Sequence, residues 1–345
     1  MQTIVLEQPG TLRQVHTEAP PEPGRGEALV RVRRVGVCGT DIHAYAGRQP
    51  FFSYPRILGH ELGVEVLAVG GGVTEVSVGD RCAVEPYVGD CGDCSACRQG
   101  RTNCCPSMSC LGVHVDGGMR DRIVLPARKL HAPPDGSELS FEALALVETL
   151  GIGRHAVTRA GVGEGESVAV LGLGPIGLTV CQFAKLAGAA LVGLDVSADR
   201  CAKAETLLGI ETRALDAETP VAEQWTAAFG DRPLKVFDAT GHRGSMQAAF
   251  DLPDHAGTLT FVGLLLGEIA FDDPSFHRKE LTLLASRNSV AADFRAILAD
   301  LAAGRIDPTA WITHRTTAAA LPGALDDWLL PESGLLKGVV SFDDA

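Results

Sequence analysis

Five of the ten cysteines in this 345-residue chain lie within residues 91–105, and four of them form a metal-binding pattern. Cys91, Cys94, Cys97 and Cys105 have the spacing C-x2-C-x2-C-x7-C. Four thiolates so spaced can close a tetrahedron around one zinc ion, as in a structural site. The alternative is an iron–sulfur cluster, but the ferredoxin motif that ends in Cys-Pro has three residues before its last cysteine, not seven. The pattern predicts structural zinc, although spacing alone leaves Cys104 as an alternative to Cys105.

Two other stretches combine possible metal ligands, residues 38–43 (CGTDIH) and residues 59–61 (GHE). A thiolate, an imidazole and carboxylates can hold zinc and leave a position open for substrate, as a catalytic site requires. Residue type by itself is weak evidence here. A single cysteine is usually a small buried hydrophobe, and a single histidine has many other uses.

Residues 167–177, SVAVLGLGPIG, predict a buried strand that turns into a helix through G-x-G-x-x-G. The three glycines permit a tight turn, close approach of a pyrophosphate, and close packing of helix on strand. Asp195 follows 18 residues after Gly177, at the end of the next apolar strand. A carboxylate there binds ribose hydroxyls and repels a 2′-phosphate, which favours NAD over NADP. The expected cofactor-binding residues are Gly172, Gly174, Pro175, Ile176, Gly177, Asp195 and Arg200.

The elements that must position these side chains change in type near residue 150. Residues 1–145 predict short strands separated by Gly and Pro turns. Beyond them, strands alternate with helices, which predicts crossover connections and a parallel sheet. The strands of this part are expected at residues 168–171, 191–196, 235–239, 258–263 and 281–285.

The last part of the chain no longer repeats the strand-helix unit, so we expect it to return to the first domain. Its predicted elements are a helix at 294–303, a strand near 311–316, a helix near 321–330 and a strand at 338–342. Residues 258–266, TLTFVGLLL, are unusually apolar, and residues 267–271 could add an edge strand. An unpaired apolar edge favours a homo-oligomer.

Composition narrows the class of protein. A net charge of −13 without a run of Lys and Arg argues against a nucleic-acid partner. The first residues lack the basic and apolar regions of a signal peptide, and no 18 apolar residues occur in succession, so we expect a cytoplasmic protein with no membrane contact. Crowded cysteines in a reducing compartment favour metal binding over disulfides.

The order and approximate spacing of these four motifs resemble the zinc-dependent medium-chain dehydrogenase/reductase family over essentially the whole chain. Residues 147–151, VETLG, resemble the Glu-Pro-Leu segment of its polyol and threonine dehydrogenase branch, with Thr149 in place of the proline. The resemblance implies an α/β protein with two domains: a GroES-like β-barrel catalytic domain, residues 1–150 and 288–345, and a doubly wound Rossmann NAD-binding domain, residues 151–287. The active site is then expected in the cleft between them.

The resemblance also implies roles for individual residues. Thr40 matches the hydroxyl that takes the alcohol proton, and His43 matches the histidine that passes it through the cofactor ribose to solvent. Members of the family differ over which glutamate binds the metal directly and which through water. The implied groups around a catalytic zinc are Cys38, His60, Glu61 and Glu148.

The implied reaction interconverts a secondary alcohol and its ketone with hydride transfer to NAD. Residues 49–60 and 286–288 resemble bacterial hexonate 5-dehydrogenases, and an arginine could pair with a substrate carboxylate. For Arg56 and Arg287 the alternative is an ordinary salt bridge. Ala44 replaces an aromatic residue of the sorbitol branch, which argues against sorbitol itself. Candidate substrate-binding residues are Gln49, Phe51, Phe52, Tyr54, Arg56, His114, Arg287 and Asn288.

Other functions stay open at this point. Within the family, a threonine 3-dehydrogenase or a general secondary alcohol dehydrogenase is the alternative, and a quinone reductase would lack both zinc sites. A non-catalytic NAD-binding sensor is the alternative from another class, but it has no need for Cys38, Thr40, His43, His60 and Glu148 together. By resemblance, the expected assembly is a homotetramer, or else a dimer.

Overall fold

The computed structural model describes residues 1–49 and 52–343, and its internal contacts divide the chain into two compact units. The first unit consists of Met1–Glu148 and Ser289–Ala345, and the second of Thr149–Asn288. The prediction for Phe51 falls outside the described residues.

The first part of the chain is built mainly from short strands. They are β1 (Gln2–Gln8), β2 (Thr11–His16), β3 (Glu27–Val37), β4 (Arg56–Ile57), β5 (Glu61–Val69), β6 (Arg81–Val84), β7 (Tyr87–Val88), β8 (Ser109–Cys110), β9 (Arg122–Pro126) and β10 (Leu130–His131). The helices are α1 (Gly39–Tyr45), α2 (Ser95–Arg98), α3 (Phe141–Ala145) and α4 (Val147–Ala160), with 3-10 helices at Thr102–Cys104 and Ala127–Lys129.

The middle of the chain alternates strands and helices. The strands are β11 (Ser167–Leu171), β12 (Ala190–Asp195), β13 (Glu211–Ala214), β14 (Lys235–Asp238), β15 (Thr258–Phe261) and β16 (Thr282–Ala285). The helices are α5 (Pro175–Leu186), α6 (Ala198–Leu208), α7 (Val221–Phe229), α8 (Arg243–Ala248) and α9 (Asp273–Arg278), with a 3-10 helix at Ala249–Asp251.

The last part of the chain supplies two helices and two strands to the first unit. They are α10 (Ala291–Ala302), β17 (Ile312–Thr317), α11 (Leu321–Trp328) and β18 (Lys337–Ser341), with 3-10 helices at Pro308–Trp311 and Pro331–Ser333. The strand β18 pairs antiparallel with β3, with Gly338 opposite Val37. This pairing brings residues from the two ends of the chain together.

A seven-stranded sheet forms the centre of the first unit. Its order is β10-β6-β5-β3-β18-β17, and β9 also pairs with β3. Alternate residues of β3 and β5, such as Val30, Val32, Leu62 and Val64, are buried in one core because successive side chains of a strand point to opposite faces. The sheet therefore provides a rigid support for the loops at its ends.

The second unit contains a six-stranded parallel sheet in the order β13-β12-β11-β14-β15-β16. The predicted α/β fold with a doubly wound parallel sheet is confirmed. The edge strand β13 was not predicted, because three of its four residues are exposed and it carries no run of apolar residues. Its position depends on its pairing with β12.

The prediction of an edge strand at residues 267–271 is wrong. The chain there has no regular secondary structure, and the edge is formed by β16. The ring of Phe271 stacks on Phe250 with 4.6 Å between centroids, and Arg243 donates a hydrogen bond to the carbonyl of Glu268. These contacts hold the segment against the 3-10 helix that follows α8, so it does not extend along the sheet.

Candidate active site and cofactor-binding turn

The register of two neighbouring strands brings the first group of ligands together. Cys38 directly follows β3 and His60 directly precedes β5, and Gly36 lies opposite Glu61 in their antiparallel ladder. The ligand atoms of Cys38, His60 and Glu61 all lie within 4.8 Å of one another. Gly36 is required for this approach, since a Cβ atom there would lie 1.9 Å from Oε2 of Glu61.

Asp41 holds the two ligand-bearing segments in place, and its role was not predicted from the sequence. Its carboxylate accepts hydrogen bonds from the backbone N–H of Cys38 at 2.9 Å and of Gly59 at 3.4 Å. Its Oδ1 lies 3.9 Å from Nδ1 of His60, which is buried and has no hydrogen-bond partner in the described part of the chain. At that distance the two side chains interact through charge and not through a hydrogen bond, so Asp41 acts mainly by fixing the backbone beside the two ligands.

The two glutamates of the site have different partners. Glu61 is fully buried, and both of its oxygens accept hydrogen bonds from Nζ of Lys337, at 2.7 and 2.9 Å. Glu148, in the first turn of α4, is 5% exposed, and its Oε1 accepts a hydrogen bond from the hydroxyl of Tyr87 at 2.5 Å. Among the described residues, Glu148 does not belong to the group whose ligand atoms all lie within 4.8 Å of one another.

The electrostatics of the site fit a bound cation. Burial raises the pKa of Glu148, and the nearby charge of Glu61 raises it further. Burial would lower the pKa of His60, but the negative charges of Asp41 and Cys38 outweigh that effect and raise it well above its usual value. Burial lowers the pKa of Lys337, but the charges of Glu61, Cys38 and Glu148 outweigh that effect and raise it, so this lysine faces an excess of acidic groups. A divalent ion that accepts sulfur, nitrogen and oxygen ligands, such as zinc, would offset this excess.

The two predicted proton carriers lie on α1, directly after Cys38. Thr40 is half-buried, and His43 is exposed. Because residues three apart are neighbours on a helix surface, the two side chains share one face of α1. Exposure therefore increases along this face from Thr40 to His43.

Cys110 is a further residue near these ligands that the sequence did not indicate. It lies opposite Tyr87 in the β7–β8 ladder, and its thiol is influenced by the charges of His60, Glu148 and Cys38. Burial raises its pKa to about 12, so the thiol is neutral. Spacing gives no signal for Cys110, because its place beside the site depends on strand pairing.

The cysteine loop, residues 91–105, forms a compact sulfur cluster. The Sγ atoms of Cys91, Cys94, Cys97 and Cys105 lie within 4.8 Å of one another, whereas Cys104 is exposed and outside this group. The backbone N–H of Cys91 donates to the sulfur of Cys105 at 3.4 Å and lowers the pKa of that thiol to about 6. The four sulfurs suit a closed zinc site, and Cys105 rather than Cys104 lies with the other three.

In the second unit, the glycine turn, residues 172–177, has the geometry that a dinucleotide requires. Gly172 has a φ of +88°, and a Cβ atom on Gly177 would lie 1.7 Å from the carbonyl oxygen of Gly172. Gly174 precedes Pro175, the first residue of α5; no side chain caps this helix start, and a Cβ atom on Gly174 would meet nothing within 4 Å. Uncapped N–H groups and open space at a helix start suit a pyrophosphate.

Asp195 lies beside the glycine turn, as the sequence predicted. Its Oδ2 accepts the N–H of Leu173 at 2.8 Å, and its Oδ1 accepts the N–H of Ser197 at 2.8 Å. Arg200 extends toward the same carboxylate, with 3.6 Å between NH1 and Oδ2, and its side chain is 59% exposed. The carboxylate is therefore held at the edge of the turn, where an adenine ribose would bind.

The candidate substrate residues occupy different places. Arg56 lies 3.4 Å from Asp116, and it also donates a hydrogen bond to the hydroxyl of Ser53 at 2.7 Å. The contact with Asp116 is the ordinary salt bridge that was the alternative to substrate binding for this arginine. Phe52 packs edge-on against Tyr54. Nδ1 of His114 accepts the backbone N–H of Cys110 at 3.0 Å, which connects it to the neighbourhood of the catalytic ligands. Arg287 and Asn288 follow β16 in the second unit; Arg287 is exposed, and Asn288 has a φ of +53°.

Models of two known protein families match parts of this chain. Residues 24–135 match the alcohol dehydrogenase GroES-like domain, and residues 175–303 match the zinc-binding dehydrogenase family. These matches confirm the expected fold of both domains. In the described residues, no helix combines the length and apolarity needed to cross a membrane.

Similar proteins are dehydrogenases of sugar acids, polyols and alcohols. The chain is 41% identical to L-galactonate-5-dehydrogenase of Escherichia coli K12, over 99% of both chains. It is 32% identical to sorbitol dehydrogenase of Halalkalibacterium halodurans, over 92% of this chain and 93% of that one. An alcohol dehydrogenase of Escherichia coli CFT073, crystallised with NADH, has 30% identity and a TM-score of 0.91 over 99% of both chains.

Proposed function

Because the chain belongs to the zinc-dependent medium-chain dehydrogenase/reductase family, we propose roles for its individual residues and a preferred substrate. It is an NAD-linked dehydrogenase of a polyol or sugar acid, interconverting a secondary alcohol and its ketone. The proposal rests mainly on the convergence of Cys38, His60 and Glu61 within 4.8 Å, around a buried imidazole nitrogen that has no partner in the described residues.

We assign the catalytic zinc to Cys38 and His60, with carboxylates completing its surroundings. Glu61 is the nearer carboxylate, but Lys337 already balances its charge. Glu148 accepts its hydrogen bond from the hydroxyl of Tyr87, which adds no charge, so the carboxylate can still bind the ion, directly or through water. The structural zinc is assigned to the four sulfurs of the cysteine loop, and NAD to the glycine turn with Asp195 and Arg200.

When bound, zinc supplies a Lewis acid that lowers the pKa of the alcohol, and NAD supplies the hydride acceptor. Thr40 accepts the alcohol proton as it releases its own hydroxyl proton toward His43, which lies one turn further along α1 and is exposed to solvent. Asp41 fixes the backbone of Cys38 and Gly59 beside the two ligands, and Lys337 holds both oxygens of Glu61. Both thiolate sites require reduced cysteines, which supports a cytoplasmic location.

The proposed substrate is an aldonate, a hexonic acid oxidised at a secondary alcohol. The relative with 41% identity over nearly the whole chain acts on such an acid, as its name states. A substrate carboxylate calls for a cation, and the candidates are Arg287, which is exposed, and Arg56, which lies 3.4 Å from Asp116. A neutral polyol is the competing substrate, in line with the sorbitol dehydrogenase relatives. A threonine 3-dehydrogenase activity has less support, since it rests only on the resemblance of residues 147–151 to the polyol and threonine dehydrogenase branch.

We expect an aldonate to be oxidised with a kcat/KM about ten-fold to a hundred-fold higher than the polyol of the same stereochemistry, because a charge-assisted hydrogen bond contributes roughly 1.5–3 kcal/mol. Steady-state NAD reduction over a panel of aldonates, polyols and threonine measures this preference. Arg287→Ala should remove most of it, whereas Arg56→Ala should remove less. Equal turnover of the neutral polyol by the unmodified enzyme would refute the carboxylate proposal.

We also propose a homo-oligomer, with a tetramer as the first choice and a dimer as the second. Leu264 is 73% exposed, Leu266 59% and Phe271 44%, and all three follow the late strand β15. Among the described residues, β16 pairs with β15 alone, so one edge of the sheet offers backbone groups to a partner. Sedimentation at micromolar concentration should give a multimer that Leu266→Glu dissociates, and a monomeric unmodified protein would contradict the proposal.

A further inference from the structure

The hydroxyl of Tyr87 contacts a side chain of the proposed catalytic site without lying in the set of metal ligands. It donates a hydrogen bond to Oε1 of Glu148 at 2.5 Å. The residue is 2% exposed, and its partner is 5% exposed, so water has little access to this hydrogen bond. A hydrogen bond to a buried carboxylate restricts the directions in which the carboxylate can point.

The backbone of Tyr87 is fixed on both sides. Tyr87 begins β7 and lies opposite Cys110 in the β7–β8 ladder, and the carbonyl of Pro86 accepts the N–H of Leu111 at 3.0 Å. The ring is thereby held close to the site, and its hydroxyl has a defined position. Glu148 is fixed equally well, because it lies in the first turn of α4 between the buried residues Val147 and Thr149.

The two glutamates differ in the way each is held. Lys337 binds both oxygens of Glu61 and neutralises the charge of that side chain. Tyr87 donates to Oε1 of Glu148 and adds no charge, so Oε2 can face an ion. A neutral donor on one oxygen is the arrangement that orients a carboxylate without competing with a cation for its charge.

We propose that Tyr87 is a positioning residue that sets the orientation of Glu148 toward the catalytic zinc. The inference rests on the proposed function, which places Glu148 beside that ion. Loss of the hydroxyl lets the carboxylate adopt other rotamers, which weakens metal retention and slows the reaction without touching NAD or the alcohol.

The test is Tyr87→Phe in the full-length zinc-loaded enzyme, a change that removes one oxygen and keeps the ring. Chelator competition should show that the catalytic zinc is retained about 10-fold to 100-fold more weakly, as is usual when a residue that supports a ligand is removed. The cobalt-substituted variant should show a changed visible absorption spectrum. The kcat should fall, while the KM for NAD should stay within about two-fold, since the proposal leaves the cofactor site intact.

Tyr45→Phe is the matched control, because Tyr45 is also a buried tyrosine that donates to a carboxylate, Oδ1 of Asp326 at 2.7 Å. It should leave zinc retention and the cobalt spectrum unchanged. Glu148→Gln tests the same hydrogen bond from its other side and should weaken zinc retention. In the Glu148→Gln background, Tyr87→Phe should add almost nothing, because the two residues act as a unit.

The outcomes separate this inference from the proposed function. If Glu148→Gln weakens zinc retention and Tyr87→Phe does not, the positioning role is wrong and the assignment of Glu148 stands. If neither variant changes zinc retention or the cobalt spectrum, the place of Glu148 at the ion is wrong as well. Equal effects of Tyr87→Phe and Tyr45→Phe would overturn the inference, since they would reveal only a general loss of stability.

Discussion

Replacing His60 by alanine is expected to lower kcat/KM by roughly a thousand-fold or more while the protein remains folded. Lewis-acid polarisation contributes several kcal/mol to lowering the barrier, and an alanine cannot hold the ion. The fold should survive because His60 directly precedes β5, whose core residues Leu62 and Val64 are unchanged. Cys38→Ala should behave in the same way. The measurements are NAD reduction, zinc content and the far-UV circular dichroism spectrum.

The zinc content decides how this result is interpreted. The unmodified enzyme should contain two zinc ions per chain, and His60→Ala should retain the one in the cysteine loop. His255→Ala, at an exposed histidine, is the control and should keep both ions and full activity. One ion per chain in the unmodified protein would favour the sensor module, and full activity of His60→Ala would exclude the proposed metal site.

Replacing Cys94 by serine is expected to reduce stability rather than the chemistry of the folded enzyme. The helix α2 buries none of its residues, so the cysteine loop has little apolar core of its own and depends on the ion for its shape. Loss of a few kcal/mol would lower the apparent Tm by about 3–6 °C in a chain of this size. Zinc content should fall by one ion per chain, and the fraction that folds should stay active.

Cys104→Ser provides a closely matched control for this experiment. Cys104 is the neighbour of Cys105 in the chain, but it is exposed and outside the group of four sulfurs. The same chemical change there should alter neither the Tm nor the zinc content. If Cys104→Ser lowers both and Cys94→Ser lowers neither, the assignment of the four ligands is incorrect.

The sequence alone determined the features whose parts lie close together along the chain. The cysteine loop places four ligands within 15 residues, and the glycine turn places three glycines within six. Short loops of this kind have few conformations that satisfy all their side chains, so spacing predicts chemistry. The alternation of strands and helices predicted the parallel sheet for the same reason, because hydrophobic period is a local property.

The tertiary structure decided which distant side chains meet. Lys337 reaches Glu61 across 276 residues, and Tyr87 reaches Glu148 across 61. Both contacts depend on strand pairing: β18 beside β3 in one case, and β7 beside β8 in the other. The edge strand β13 and the fold of residues 267–271 also depend on their neighbours. Pairing between strands is selected by the whole sheet, because a one-residue change of register would turn each buried side chain to the opposite face.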